Sequence, residues 1–256
     1  MSYKKELELL NNHVHQIYEE AIKKTVKTEL KGTQDIVTST DLAIEKAIVT
    51  LIQSAFPNDH FHTEEYYNQT KLKNRTWVID PIDGTSNYAA QMGLFVVQIA
   101  LFDQEDIVLS YVYIPTFNET YFAIKGEGAY LNGKKYRASD NPHKNNFMMA
   151  VVGLTQKNND KTYYQKLIEW SQKHHYKLRM LGSIGLEMCF ASKGVYDLFY
   201  SDVTNIWDIY PGILLNREAG AILCNELGEP YRLNKDVHLF VLKDESAKEK
   251  VFKGIK

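Results

Sequence analysis

Apolar residues recur every three or four positions at Leu7, Leu10, Val14, Ile17, Ala21 and Ile22, which predicts an amphipathic helix over residues 4–30, stopped at Gly32. Ser39-Thr40-Asp41 supplies capping side chains for a second helix that runs to about residue 55, where Phe56-Pro57-Asn58-Asp59 ends it. From Phe95 to Tyr130 the pattern changes. β-Branched and aromatic residues crowd together and predict strands over 95–102, 107–114 and 119–125, with turns at Pro115-Thr116 and Gly126-Glu127-Gly128. Asn132-Gly133 reads as a hairpin turn. The polar stretch from Ser139 to Asn146, which contains Pro142, marks a boundary between an N-terminal half, residues 1–140, and a C-terminal half, residues 141–256. The second half then alternates. A strand near 147–153, a helix near 160–174 and a strand at 177–180 lead to a helix that opens at Gly182-Ser183 and runs to about Ser192. A strand over 195–200 and a helix containing Trp207-Asp208 follow, and the Lys-rich stretch 244–256 reads as a solvated helix face.

The densest chemistry lies in residues 77–88. Trp77, Val78 and Ile79 suit a buried strand, and Asp80 and Asp83 follow three residues apart with Pro81 between them to interrupt the ladder. Asp83-Gly84-Thr85-Ser86 then looks like the start of a helix. Two carboxylates at a strand end, beside the unsatisfied amides of a helix N-terminus, can gather a hard divalent cation and a phosphate side by side. That pairing is the chemistry of phosphate ester hydrolysis. Three further polar knots accompany it: Asp35 to Asp41, His62-Thr63-Glu64-Glu65, and Ile206-Trp207-Asp208 leading into a helical run to Gly220. Taken singly, Asp41 and Asp83 also suit plain helix capping, and Glu64-Glu65 suits a solvated acidic pair.

Composition narrows the class. The 256 residues are 44% hydrophobic and 24% charged, values ordinary for a globular chain long enough to bury a full core. A net charge of −2 without a long basic block argues against broad nucleic-acid binding. No run of 18 apolar residues exists, so no membrane-spanning helix is expected. The first residues lack the apolar stretch of a secretory signal, and Cys189 and Cys224 lack metal-type spacing. A cytoplasmic protein with two reduced, buried thiols is expected.

The four knots in this order, over about residues 35–225, resemble the inositol monophosphatase family of magnesium-dependent, lithium-sensitive phosphatases. The resemblance implies an α+β fold, a layered αβαβα sandwich, with the site between the two halves and a homodimeric assembly. It implies two or three Mg2+ ions. Glu64, Asp80 and the main-chain carbonyl of Ile82 would hold the first, Asp80, Asp83 and Asp208 the second, and Glu65 could reach a further ion through water. Thr85, paired with Asp41, would orient and deprotonate a metal-activated water, with Thr38 supporting Asp41; Glu64 is counted with these two in the catalytic set. The amides of Gly84 and Thr85 would grip the phosphate.

On the substrate side, Gly182, Ser183, Ile184, Ser201 and Asp208 match positions that face the substrate in the family. Two depart from the pattern. Ile184 is bulkier than the usual Ala, and Ser201, seven residues before Asp208, stands where inositol phosphatases carry a Glu that binds ring hydroxyls. Thr63 stands where the family usually has Gly before its glutamates. The expected substrate is inositol-1-phosphate or a related sugar or polyol phosphate. Fructose 1,6-bisphosphate, NADP and 3′-phosphoadenosine 5′-phosphate are the alternatives on the same fold, and a silent metal- or phosphate-binding sensor is a more distant one.

Overall fold

Two β-sheets alternate with three helical layers, and the hydrophobic clusters show the stacking directly. The computed structural model describes residues 3–23, 28–30, 36–67, 72–141, 147–152, 161–202 and 205–254. The chain begins with helix α1 (Lys4–Ala21), the short antiparallel pair β1 (Thr28–Leu30) and β2 (Ile36–Thr38), and helix α2 (Ser39–Ala55). A seven-stranded sheet follows, ordered as in the chain: β3 (His60–Thr63), β4 (Thr76–Asp83), β5 (Val96–Asp103), β6 (Asp106–Ile114), β7 (Glu119–Ile124), β8 (Gly128–Leu131) and β9 (Lys134–Tyr136). The five-residue helix α3 (Thr85–Ala89) sits between β4 and β5. The second half interleaves strands β10 (Met148–Val152), β11 (Lys177–Arg179), β12 (Leu198–Asp202), β13 (Ile222–Cys224) and β14 (His238–Leu242) with helices α4 (Lys161–Lys173), α5 (Ile184–Ser192), α6 (Ile206–Glu218) and α7 (Glu245–Gly254). Its sheet has the order β11-β10-β12-β14-β13, parallel on the β11-β10-β12 side and antiparallel on the other.

Alternation along the strands assigns each face a partner. Trp77, Ile79, Ile99 and Leu101 pack against Leu10, Val14, Ile44 and Ile48 of α1 and α2. Val78, Val96 and Ala100, on the opposite face, pack against Leu186, Met188, Ile213 and Leu214 of α5 and α6. The same α5–α6 cluster reaches Ala150, Phe199 and Val241 of the second sheet, so one core spans both halves. Met149, Val151, Leu198 and Phe240 then turn outward onto Leu167, Trp170, Ala247 and Val251 of α4 and α7. The order is αβαβα, with α5 and α6 as the central layer. Both are buried on most sides, which explains why their apolar residues carry no clear helical stripe.

Several predicted boundaries move. The first helix ends at Ala21 and not near residue 30: although Leu30 keeps the helical spacing, Thr28–Leu30 instead pairs as a strand with Ile36–Thr38. The strand expected over 195–200 begins at Leu198, since Gly194 and Val195 close the end of α5 through bonds to Ala191 O and Phe190 O. Strands β3, β13 and β14 have no counterpart in the sequence-based reading. Part of the expected boundary, residues 142–146, lies outside the described residues, as do residue 153 of one expected strand and residue 160 of one expected helix. The Asn132-Gly133 hairpin joins β8 to β9 with both residues at positive φ, as a two-residue turn of this kind requires. Both cysteines are buried and free. No helix among the described residues is long and apolar enough to cross a membrane.

Candidate active site

The site grows from an irregularity in β4. Asp80 pairs with Gln98 and Asp83 with Val96, so three steps along β4 match two along β5. Simple alternation would send Asp80 and Asp83 to opposite faces; the extra residue at Pro81-Ile82 resets it. Both carboxylates therefore face the α5–α6 layer, beside the cluster that contains Val96. Asp208 arrives there from the first turn of α6, where the N-terminal end of the helix dipole favours a negative charge. Its Oδ2 accepts from Asn205 Nδ2 at 3.3 Å. Glu64 follows β3, and its amide donates to Ile79 O at 3.2 Å.

Asp80 is the most unusual group. It is 2% exposed; among the described residues its Oδ1 has no hydrogen-bond partner, and its Oδ2 accepts a long bond from Gln98 Nε2 at 3.3 Å. Burial raises its pKa well above the ordinary carboxylate range, and the charges of Glu64, Asp83 and Asp208 raise it further. Asp83 is pushed up to about 6 by burial, against the opposing pull of three donors on α5. Those donors are Ser183 Oγ at 2.6 Å, Gly185 N at 2.6 Å and Ile184 N at 3.2 Å. Asp83 therefore caps α5, 100 positions away, and not the helix that follows it in sequence; the N-cap of α3 is Gly84. Gly84 has φ +96°, and a Cβ there would meet Leu94 O at 2.9 Å and Ser183 Cβ at 3.1 Å, so only glycine lets the two segments close up.

Asp41 combines the two roles open to it. It is the third residue of α2 and completes a capping box: its Oδ2 accepts from the Thr38 amide at 3.0 Å and from the Thr38 hydroxyl, while Thr38 Oγ1 accepts from the Thr40 and Asp41 amides. Its other oxygen lies 3.2 Å from Thr85 Oγ1, which is also 3.0 Å from Ile82 O. One hydroxyl proton thus has two acceptors within reach. Asp41 is fully buried, and burial raises its pKa despite the Thr38 bonds.

No ion pair among the described residues reaches Asp41, Asp80 or Asp83. Buried carboxylates that raise one another's pKa, with one oxygen unpartnered, form a site short of positive charge. The donors are all oxygens, which suits Mg2+ or Ca2+ and not a soft metal. Among the described residues no three His, Cys, Asp or Glu side chains are already grouped as a closed ligand set.

A cavity of about 390 Å³ opens beside Asp83 and Asp208. Gly182, Ser183, Ile184, Val151, Val152 and Met180 complete its lining among the described residues. Ser201 does not line it. Its side chain is fully buried and donates to Asp202 O at 2.9 Å. Asp202 faces the other way, accepting from Tyr200 Oη at 2.5 Å and lying 3.0 Å from His238 Nδ1.

Three supporting side chains were not recognisable as functional in the sequence. Gln98 joins Asp80 to the backbone carbonyl of Asp208, both at 3.3 Å. Glu45 accepts from Thr63 Oγ1 at 2.5 Å and from the Glu65 and Tyr66 amides at 2.9 Å each, so it holds the loop that carries Glu64. Glu187 accepts from the Leu181 amide at 2.9 Å and steadies the loop of Gly182 and Ser183. The available signals were a lone Gln in an apolar strand and a Glu one helical turn after Asp41.

An αβαβα sandwich with a buried, all-oxygen carboxylate site at the junction of its halves defines a metal-dependent phosphatase. The chain belongs to the inositol monophosphatase family, whose sequence profile matches residues 4–253. It is 33% identical over 198 residues to the fructose-1,6-bisphosphatase/inositol-1-monophosphatase of Thermotoga maritima, covering 77% of this chain and 74% of that one. The crystal structure of extragenic suppressor protein SuhB from Bartonella henselae superposes with a TM-score of 0.85 at 25% identity, covering 98% of each chain. An IMPase/NADP phosphatase crystallised with Mg2+ and phosphate has the same fold, with a TM-score of 0.80 at 22% identity over 96% of this chain and 94% of that one. The protein is a phosphomonoesterase that depends on a divalent metal.

Proposed function

We propose that the chain hydrolyses inositol-1-phosphate or a related sugar or polyol phosphate with Mg2+. The observation that carries this reading is Asp80, a buried carboxylate with an unpartnered oxygen on the face it shares with Asp83. Glu64, Asp80 and the carbonyl of Ile82 would hold one ion, Asp80, Asp83 and Asp208 a second, and Glu65 a further one through water. When bound, Mg2+ neutralises the carboxylates and makes water more acidic.

The protein's own groups do the rest. Thr85 Oγ1 orients the attacking water and takes its proton while passing its own to Asp41 Oδ1, at 3.2 Å. The pKa of Asp41, raised by burial, suits it to receive that proton. The amides of Gly84 and Thr85 hold the phosphoryl oxygens, and their positions are fixed by the glycine-only turn against Ser183. Gly182, Ser183, Ile184 and Asp208 border the space for the alcohol, and Ser201 is buried away from it. A second reading, a fructose 1,6-bisphosphatase, is supported by the similar Thermotoga maritima protein, whose name carries both activities; the burial of Ser201, which removes a side-chain contact to inositol hydroxyls, is compatible with it.

Phosphate release with Mg2+ from inositol-1-phosphate, fructose 1,6-bisphosphate, NADP and 3′-phosphoadenosine 5′-phosphate tests the proposal. The highest kcat/KM should fall on inositol-1-phosphate. A clear win by fructose 1,6-bisphosphate transfers the assignment to the second reading. A win by either nucleotide contradicts both.

A further inference from the structure

Gln98 stands where the pattern of β5 calls for an apolar side chain. Val96, Val97, Ile99, Ala100 and Leu101 flank it in the strand, and each of them, like Gln98, is fully buried. Gln98 lies directly across from Asp80 in the antiparallel pair β4–β5, so the two side chains share one face of the sheet. Its carboxamide meets the carriers of three proposed metal ligands. Nε2 donates to Asp80 Oδ2 and to the backbone carbonyl of Asp208, each at 3.3 Å. Both partners are acceptors, which assigns the nitrogen to that side and occupies both of its hydrogens. Oε1 turns to Gly185 of α5, where a Cβ would lie only 2.5 Å from it. Gly185 is the residue whose amide holds Asp83. Among the described residues Oε1 has no hydrogen-bond partner. A buried amide with two long bonds and an orphaned oxygen is unfavourable for stability, and an apolar side chain of similar size would suit this core better.

We infer that Gln98 is a positioning residue that fixes the gap between the metal ligands of the two halves. One carboxamide sets Asp80 on β4 against the first turn of α6, which carries Asp208. Its oxygen abuts the α5 glycine that holds Asp83. By engaging Asp80 Oδ2, it also leaves Oδ1 as the oxygen turned to a cation. The inference rests on the assignment of these carboxylates to a divalent metal and deepens it. A gap held by the protein matters most for Mg2+, which demands near-octahedral geometry at about 2.1 Å. Ca2+ accepts longer and less regular contacts, at about 2.3–2.6 Å. Gln98 therefore favours the smaller ion.

Two variants release the brace in different ways. Gln98→Met keeps the length without the donors, and Gln98→Asn keeps the donors but draws them back by one methylene. Calorimetric titration of metal-free wild type and variants with Mg2+ and with Ca2+ reads the effect without reference to turnover, and thermal unfolding in chelator confirms folding. Each variant should bind Mg2+ about tenfold more weakly and Ca2+ no more than about threefold more weakly. An unchanged ratio of the two affinities in both variants overturns the inference and leaves the metal site standing. Loss of folding in both variants also overturns it, because Gln98 would then serve the fold and not the gap. A wild type that binds neither cation contradicts the metal-dependent phosphatase reading together with the inference.

Discussion

Asp83 Oδ2 and the backbone amide of Gly185 lie 2.6 Å apart, although 102 positions separate them in the chain. Through this contact the strand-end carboxylate of the first half and the helix start of the second become one unit. Ser183 completes it, donating to Asp83 while capping α5. The halves are therefore tied at the site itself as well as through their shared core. A proposed metal ligand is thus also a structural clasp, and loss of either partner should reach both stability and turnover.

Ser183→Ala tests the clasp. It removes one charge-assisted bond to Asp83 and the cap on the Leu186 amide, but leaves the amides of Ile184 and Gly185 in place. Stability should fall by about 1–2 kcal/mol, read as a lower denaturant midpoint at unchanged slope. Turnover should drop but persist. A variant as stable as the wild type would mean that the Ser183 hydroxyl contributes nothing to the clasp in solution.

Glu45→Ala should act on the metal site from a distance. The wild-type carboxylate satisfies Thr63 Oγ1 and the amides of Glu65 and Tyr66. Leaving these donors without it should cost about 3 kcal/mol and raise the Mg2+ concentration for half-maximal activity, while Glu45→Gln should recover part of both. An unchanged Mg2+ requirement in Glu45→Ala would show that this loop does not depend on Glu45.

Glu187 should leave a signature in the pH dependence of stability. Burial pushes its pKa from the ordinary 4.5 up to about 8, and only the Leu181 amide opposes the rise. A carboxyl raised on folding favours the protonated native state, so its contribution is complete below about pH 4.5 and is lost as pH climbs through 8. Glu187→Gln stays neutral throughout. Its stability relative to wild type should therefore grow by a few kcal/mol from acid to alkaline pH, measured by urea unfolding across that range. A difference that stays flat with pH would exclude a buried, shifted Glu187.

What the sequence made legible follows from which interactions are local. The residues around Asp80, Asp83 and Asp208 sit on elements whose apolar runs are strong, so their placement on strand and helix ends could be read directly. The direction of their side chains could not. Asp83 looked like the cap of its own helix because the amides it serves are contributed by α5, far along the chain. The family resemblance puts Ser201 among the substrate-facing positions, but strand pairing with Val152 and Leu239 buries it and its hydroxyl goes to the backbone. β13 is only three residues long, and β3 owes its place to the parallel register with β4, which no local pattern encodes. Glu45 and Gln98 read as ordinary polar residues because their partners come from other elements.

The central claim is that the buried carboxylates Asp80 and Asp208 hold the divalent metal that drives phosphate ester hydrolysis. The most direct test measures phosphate release from inositol-1-phosphate by the wild type, Asp80→Asn and Asp208→Asn, with Mg2+ and with a chelator, alongside thermal unfolding of each. The wild type should release phosphate only with Mg2+ and unfold at a higher temperature when Mg2+ is present. Both variants should be inactive, and Asp80→Asn should be more stable than the wild type in chelator, because it removes a buried charge that Glu64, Asp83 and Asp208 repel. Phosphate release in chelator, or wild-type activity in either variant, would contradict the account.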